Sequence, residues 1–149
     1  MKLGMNGKLY YSDTLLDGSS NTPDSVSWNE ITNVTDVNVN LETGEADATT
    51  RANNGWRQTL ATLKDGSIEF EMNWEPSDAA FAALKDAWLN NNNIALAAMD
   101  GAIATAANEG LVGNFSVTNF SRAEPLEEVM RVSVTVKPAS QTEWYVVAA

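Results

Sequence analysis

The chain has 149 residues, 44% of them apolar, and a formal net charge of −11. That length fits one domain, residues 1–149, burying about two-thirds of its unfolded surface, with too many apolar residues for disorder. Cysteine and histidine are absent, which removes disulfides and thiol chemistry and lowers the prospect of acid–base catalysis or transition-metal binding. The acidic balance opposes binding to nucleic acid or to anionic membranes.

Met1-Lys2-Leu3 leads into a Gly/Asn turn, so no signal peptide is expected. No apolar run approaches the roughly 20 residues that span a bilayer. A soluble protein used without export is the expectation. After Asn6-Gly7, residues 8–12 read as a first strand, and residues 17–24, rich in Ser, Asn, Gly and Pro, as a loop. Trp28-Asn29-Glu30-Ile31 reads as a short edge element. Residues 34–41 then set Val37, Val39 and Leu41 against Asp36, Asn38 and Asn40, the period of a half-buried strand.

Residues 42–55 have no apolar rhythm. They carry Glu42, Glu45, Asp47, Thr50, Arg51 and Asn54, and Trp56-Arg57 closes them. A compact domain rarely keeps a structureless loop this long unless it is functional, so a polar docking arm is expected here. Residues 58–63 read as a strand, Lys64-Asp65-Gly66-Ser67 as a hairpin turn, and residues 67–74 as the returning strand, with Ile68, Phe70, Met72 and Trp74 inward and Glu69 and Glu71 outward.

The period changes at Pro76-Ser77-Asp78. Phe81, Leu84 and Trp88 recur at helical spacing, which predicts a helix over residues 77–89, ended by the asparagines at 90–93. Residues 94–99 resume as a strand, 102–109 read as a loop or short strand, and 111–120 and 129–137 alternate again; the second of these turns Ser133 and Thr135 outward. Trp144-Tyr145-Val146-Val147 is too apolar to float free. About seven short strands and one helix predict a mostly β fold: an antiparallel sandwich or barrel around one core, with the helix on its flank.

Catalytic chemistry is scarce. Glu69 and Glu71 stand about 7 Å apart on one strand face, within the range of inverting glycosidases, but alternating glutamates are the ordinary solvated side of a strand. The acids Asp36, Glu42, Glu45, Asp47 and Asp100 lack calcium-loop spacing. Trp74 and Trp88 read as core, and Trp28, Trp56 and Trp144 as core or interface. Assembly through free strand edges fits these surfaces better than catalysis.

Three stretches resemble the tail tube proteins of long-tailed bacteriophages. They are Gly4-Met5-Asn6-Gly7-Lys8-Leu9-Tyr10-Tyr11; the run from Asn40-Leu41-Glu42 through Gly44-Glu45-Ala46-Asp47, Thr50-Arg51 and Asn54-Gly55-Trp56-Arg57 to Glu69-Phe70-Glu71-Met72; and Phe115-Ser116-Val117-Thr118-Asn119-Phe120-Ser121-Arg122 with Glu124-Pro125-Leu126-Glu127-Glu128 and Val132-Ser133-Val134-Thr135-Val136-Lys137-Pro138. The resemblance is collinear over most of the chain. It implies a structural, non-enzymatic protein without cofactors, assembled as hexameric rings stacked into a hollow tube through which a genome passes into a bacterial host.

The implied partners are other copies of the chain, a tape-measure protein, and tail initiator and terminator proteins, with DNA passing without specific binding. The implied place is the virion tail, assembled in the host cytoplasm. Residues 42–55 match the loop that reaches the neighbouring ring, and its acids would find partners such as Arg122 or Arg131 of another copy. Asp36, Asn38 and Asn40, or Glu69 and Glu71, or Ser133 and Thr135 are the alternatives for the lumen. The inner tube of a contractile injection or secretion system would share the fold; a carbohydrate-binding sandwich is the competitor from another class.

Overall fold

The computed structural model describes residues 1–148. The strands are β1 (Lys8–Ser12), β2 (Asn29–Glu30), β3 (Val34–Asp47), β4 (Thr59–Asn73), β5 (Asn93–Met99), β6 (Glu109–Ala123) and β7 (Arg131–Val146), with one helix, α1 (Ala79–Leu89), between β4 and β5. All pairings are antiparallel, in one sheet of order β2-β1-β5-β6-β7-β4-β3. The sheet is curled but not closed. Its first and last strands, joined through Ile31-Thr32-Asn33, face each other across a cleft of about 570 Å³ bordered by Leu9, Ile31, Val37 and Val39.

The concave side is filled by Ile68, Phe70 and Met72 of β4, Val132, Val134 and Val136 of β7, and Phe81 and Leu84 of α1. These inward strand positions are the ones the alternation marks. Asp78 begins the helix by accepting the Phe81 N–H at 3.2 Å, so the preceding Pro76-Ser77 stays outside it. Asn91 ends it in the left-handed region, at φ 54°. Trp88, expected in the core, is 43% exposed, because the helix turns Ala80, Phe81, Leu84 and Ala87 toward the sheet. Two alanines on that face let the helix lie close over β6 and β5.

A second core lies on the other side of the sheet, where the alternation predicts only one. Tyr10, Leu16, Ala95, Ala97, Met99 and Val112 form it, covered by Val26, Trp28, Ile103 and Tyr145. β5 is thus buried on both faces, which explains its unbroken apolar run. Asn114 pins the covering loop: its side chain accepts the Leu16 N–H at 2.9 Å and donates to the Leu16 carbonyl at 2.8 Å.

Three readings of the middle of the chain need correction. Val37, Val39 and Leu41, read as the buried face of a half-buried strand, are all exposed, because β3 is the last strand of the sheet and the core lies under β4 and β7. Lys64-Asp65-Gly66-Ser67 is no turn. Asp65 pairs with Glu42 and Gly66 with Leu41, so β4 runs straight through. A Cβ on Gly66 would stand 3.3 Å from the Asn40 carbonyl oxygen, so glycine serves close approach here and not reversal. The stretch 42–55 is likewise not a loop throughout. Glu42, Glu45 and Asp47 belong to β3, and the reversal begins only at Ala48.

Candidate assembly surfaces

From Leu41 to Asp47, β3 pairs only with β4, whose partner β7 is engaged no further than Ile68. This two-stranded ribbon therefore leaves the sheet as an arm, about 20 Å long by strand rise. Its tip is ordered by its own polar groups. Thr50 N–H donates to Asn53 Oδ1 at 2.6 Å, Gln58 N–H to Thr49 Oγ1 at 2.9 Å, and Ala48 N–H to the Gln58 carbonyl at 2.9 Å. A 3₁₀ turn, Arg51–Asn53, forms inside it, and Asn54 and Gly55, both at positive φ, reverse the chain. Thr49, through its hydroxyl and its N–H, holds the Asp47 carboxyl below the usual carboxylate range.

Trp56 is 80% exposed and Leu63 84%. No residue from 41 to 67 is buried. A lone ribbon is marginal in water, so this much exposed apolar surface points to a covering partner.

The convex side of the other strands is polar. Register places Asn38 beside Glu69, Glu69 beside Thr135 and Thr135 beside Asn119. One row along, Glu71 lies beside Ser133 and Ser133 beside Ser121, while Asn40 neighbours Ser67. The three sets read from sequence as alternatives are one surface across four strands. Asp36 alone is not placed by the ladder, because it lies in a bulge between Val34 and Val37. The face mixes Glu42, Asp65, Glu69 and Glu71 with Arg131 and Lys137; Arg131 stands 3.8 Å from Glu71.

Two free edges flank this face. Among the described residues β3 has no outer neighbour. β6 pairs with β5 only as far as Ser116, so residues 117–123 have β7 alone. Sequence inspection missed this second edge, because the start of β5 was legible but its register against β6, with Asn93 opposite Ser116, was not. Arg122 is engaged within its own chain: it meets Glu124 at 2.8 Å and stacks on Trp74, 5.0 Å from the ring centre. Trp28 is half-buried and donates its indole N–H to the Pro23 carbonyl at 2.8 Å. Among the described residues no three acidic side chains converge in a way that suits a metal ion.

A polar strand face, unpaired edges and an overhanging ribbon are the surfaces that this β-fold leaves open. The chain belongs to the phage tail tube protein family, whose sequence pattern matches residues 10–142. No curated protein matches the sequence significantly. The fold is similar to a solved tail of an empty gene transfer agent particle with C6 symmetry, at 14% identity and a TM-score of 0.72, over 98% of this chain and 100% of that one. It is also similar to the SPP1 tail tube, at 13% identity and 0.73, over 100% and 81%. The sheath–tube complex of the extracellular contractile injection system PVC shares it at 9% identity and 0.63, over 99% and 93%.

Proposed function

We propose that this protein closes into hexameric rings that stack as the tube of a phage-type tail, a conduit for genome delivery into a bacterium. The observation that carries this reading is the four-strand polar face bounded by two free edges. β3 and β6 run in opposite directions on opposite sides of that face. A rotation axis along the strands would set β3 of one copy antiparallel to β6 of the next, continuing the ladder. Closure of a ring abolishes such edges.

Six copies of four strands at about 4.8 Å spacing give a circumference of about 115 Å, and strand tilt enlarges it. Asn38, Asn40, Glu69, Glu71, Ser133 and Thr135, with Asp36 near one rim, would line the bore. A surface with more carboxylates than cations repels phosphates, so DNA slides without adhering. The arm, through Glu42, Glu45, Asp47, Thr50, Arg51, Asn54, Trp56 and Arg57, would engage the adjoining ring. The protein would act in the virion as structure and not as an enzyme, without a cofactor, beside tape-measure, initiator and terminator proteins, after assembly in the host cytoplasm. Similarity of fold extends to a contractile injection tube, but the family match favours the phage-type tail.

The test is electron microscopy of purified protein, alone and with a tail initiator. Hollow tubes built of six-membered rings are expected. A strictly monomeric species under both conditions overturns the reading.

A further inference from the structure

We infer that the arm's basic, aromatic tip docks on the β6–β7 connection, residues 124–130, of a subunit in the next ring. The inference rests on the tube reading and names the surface that receives the arm. Its starting point is where the cations stand. Of the nine lysines and arginines, Lys2, Lys8, Arg122 and Arg131 form ion pairs within the chain. Arg51, Arg57, Lys64, Lys85 and Lys137 form none among the described residues. Three of these five lie on the arm, and Arg51, in the 3₁₀ turn, and Arg57, next in sequence to the exposed Trp56, both belong to its tip. In a chain of net charge −11, the tip is the place where unpaired positive charge meets apolar surface.

The complementary surface is at the other end of the same sheet. Ala123 pairs with Arg131 and Arg131 with Asn73, so the β6–β7 connection closes the end from which the arm points away. Among the described residues Glu127 and Glu128 there have no cation partner, whereas Glu124 is held by Arg122. Between and beside them, Leu126 is 99% exposed and Val129 59%. An Arg-Trp-Arg tip thus has an exposed Glu-Glu pair with two bare aliphatic side chains to meet, at the opposite pole of an identical subunit.

Surfaces that differ and lie at opposite poles make a heterologous contact, which propagates as an open stack. Trp and Arg are the side chains that most often dominate such contacts. The tip's internal hydrogen bonds fix its shape beforehand and reduce the ordering cost of docking.

The experiment is a charge swap in the full chain, read by sedimentation of tubes and negative-stain microscopy. Circular dichroism is followed to show that each variant folds. The double variant Arg51→Glu/Arg57→Glu and the double variant Glu127→Arg/Glu128→Arg should each lose at least about tenfold of the sedimenting tube, and the four substitutions together should restore it. Normal tubes from Arg51→Glu/Arg57→Glu overturn the docking while leaving the tube reading intact. So does a quadruple variant that folds but forms none. Wild-type protein that forms no tubes either alone or with a tail initiator overturns the tube reading, and the docking with it.

Discussion

The sheet with its helix and the arm are built on opposite principles from one strand pair. In the body, Ile68, Phe70 and Met72 of β4 are buried against Phe81 and Leu84. In the arm, the same strand a few residues earlier buries nothing. The body is held by the hydrophobic effect acting on its own side chains. The arm is held by the backbone ladder and by a tip of polar groups that satisfy one another. On the proposed function, stability for the subunit and adhesion for the assembly are separated along a single hairpin, so each should be open to disturbance without the other.

The largest effect should come from the body. Phe81→Ala removes a ring that packs at 4.8 Å from Trp74 and 5.7 Å from Phe120, and should cost about 3–5 kcal/mol in denaturant unfolding. Gly110→Ala should follow at about 1–3 kcal/mol, since an added Cβ would collide with the Ala98 carbonyl across β5. Urea titrations of both variants check the order.

Replacing residues 45–61 by an Asn-Gly turn should shift the unfolding free energy of the subunit by only about 0.5 kcal/mol. The same variant should form no stacked tubes by microscopy. A large loss of stability would show that the arm supports its own body, and intact tubes would show that it does not join rings.

The smallest effect is a pH response of the loop that covers the second core. Ser19 and Asn21 donate their N–H groups to Asp17 at 2.8 and 2.9 Å, and these bonds lower its pKa from 3.8 to about 2. A carboxyl depressed in the folded state contributes stability that is complete above its unfolded value and fades as pH falls toward the folded one. The difference in melting temperature between wild type and Asp17→Asn should therefore be constant above about pH 4. It should shrink between 3.8 and about 2. A difference that stays constant down to pH 2 would show that those hydrogen bonds do not form.

The hairpin also shows how much of this protein could be read in its sequence. Where one strand face meets a core, period-two alternation marks it, and Ile68, Phe70, Met72, Val132 and Val134 were all legible, whereas Val37, Val39 and Leu41 alternate in the same way and are exposed. In the ribbon both faces are open, so nothing selects an apolar rhythm, and the strand residues Glu42, Glu45 and Asp47 read as loop. Asp65-Gly66 carries the strongest short hairpin signal, yet β3 is long enough to keep β4 paired through it. Local chemistry proposed a turn there and cross-strand hydrogen bonding overruled it.

By itself the sequence determined which residues of β4 and β7 face inward, where the helix stops, that catalysis by thiol or imidazole is absent, and that a polar segment stands apart from the core. Those properties follow from side-chain chemistry and short-range spacing. Tertiary structure alone decided that three polar strand faces form one surface, that β6 has a free edge beyond Ser116, and that arm tip and acidic connection lie at opposite poles. These depend on register between strands distant in the chain, which no local period encodes.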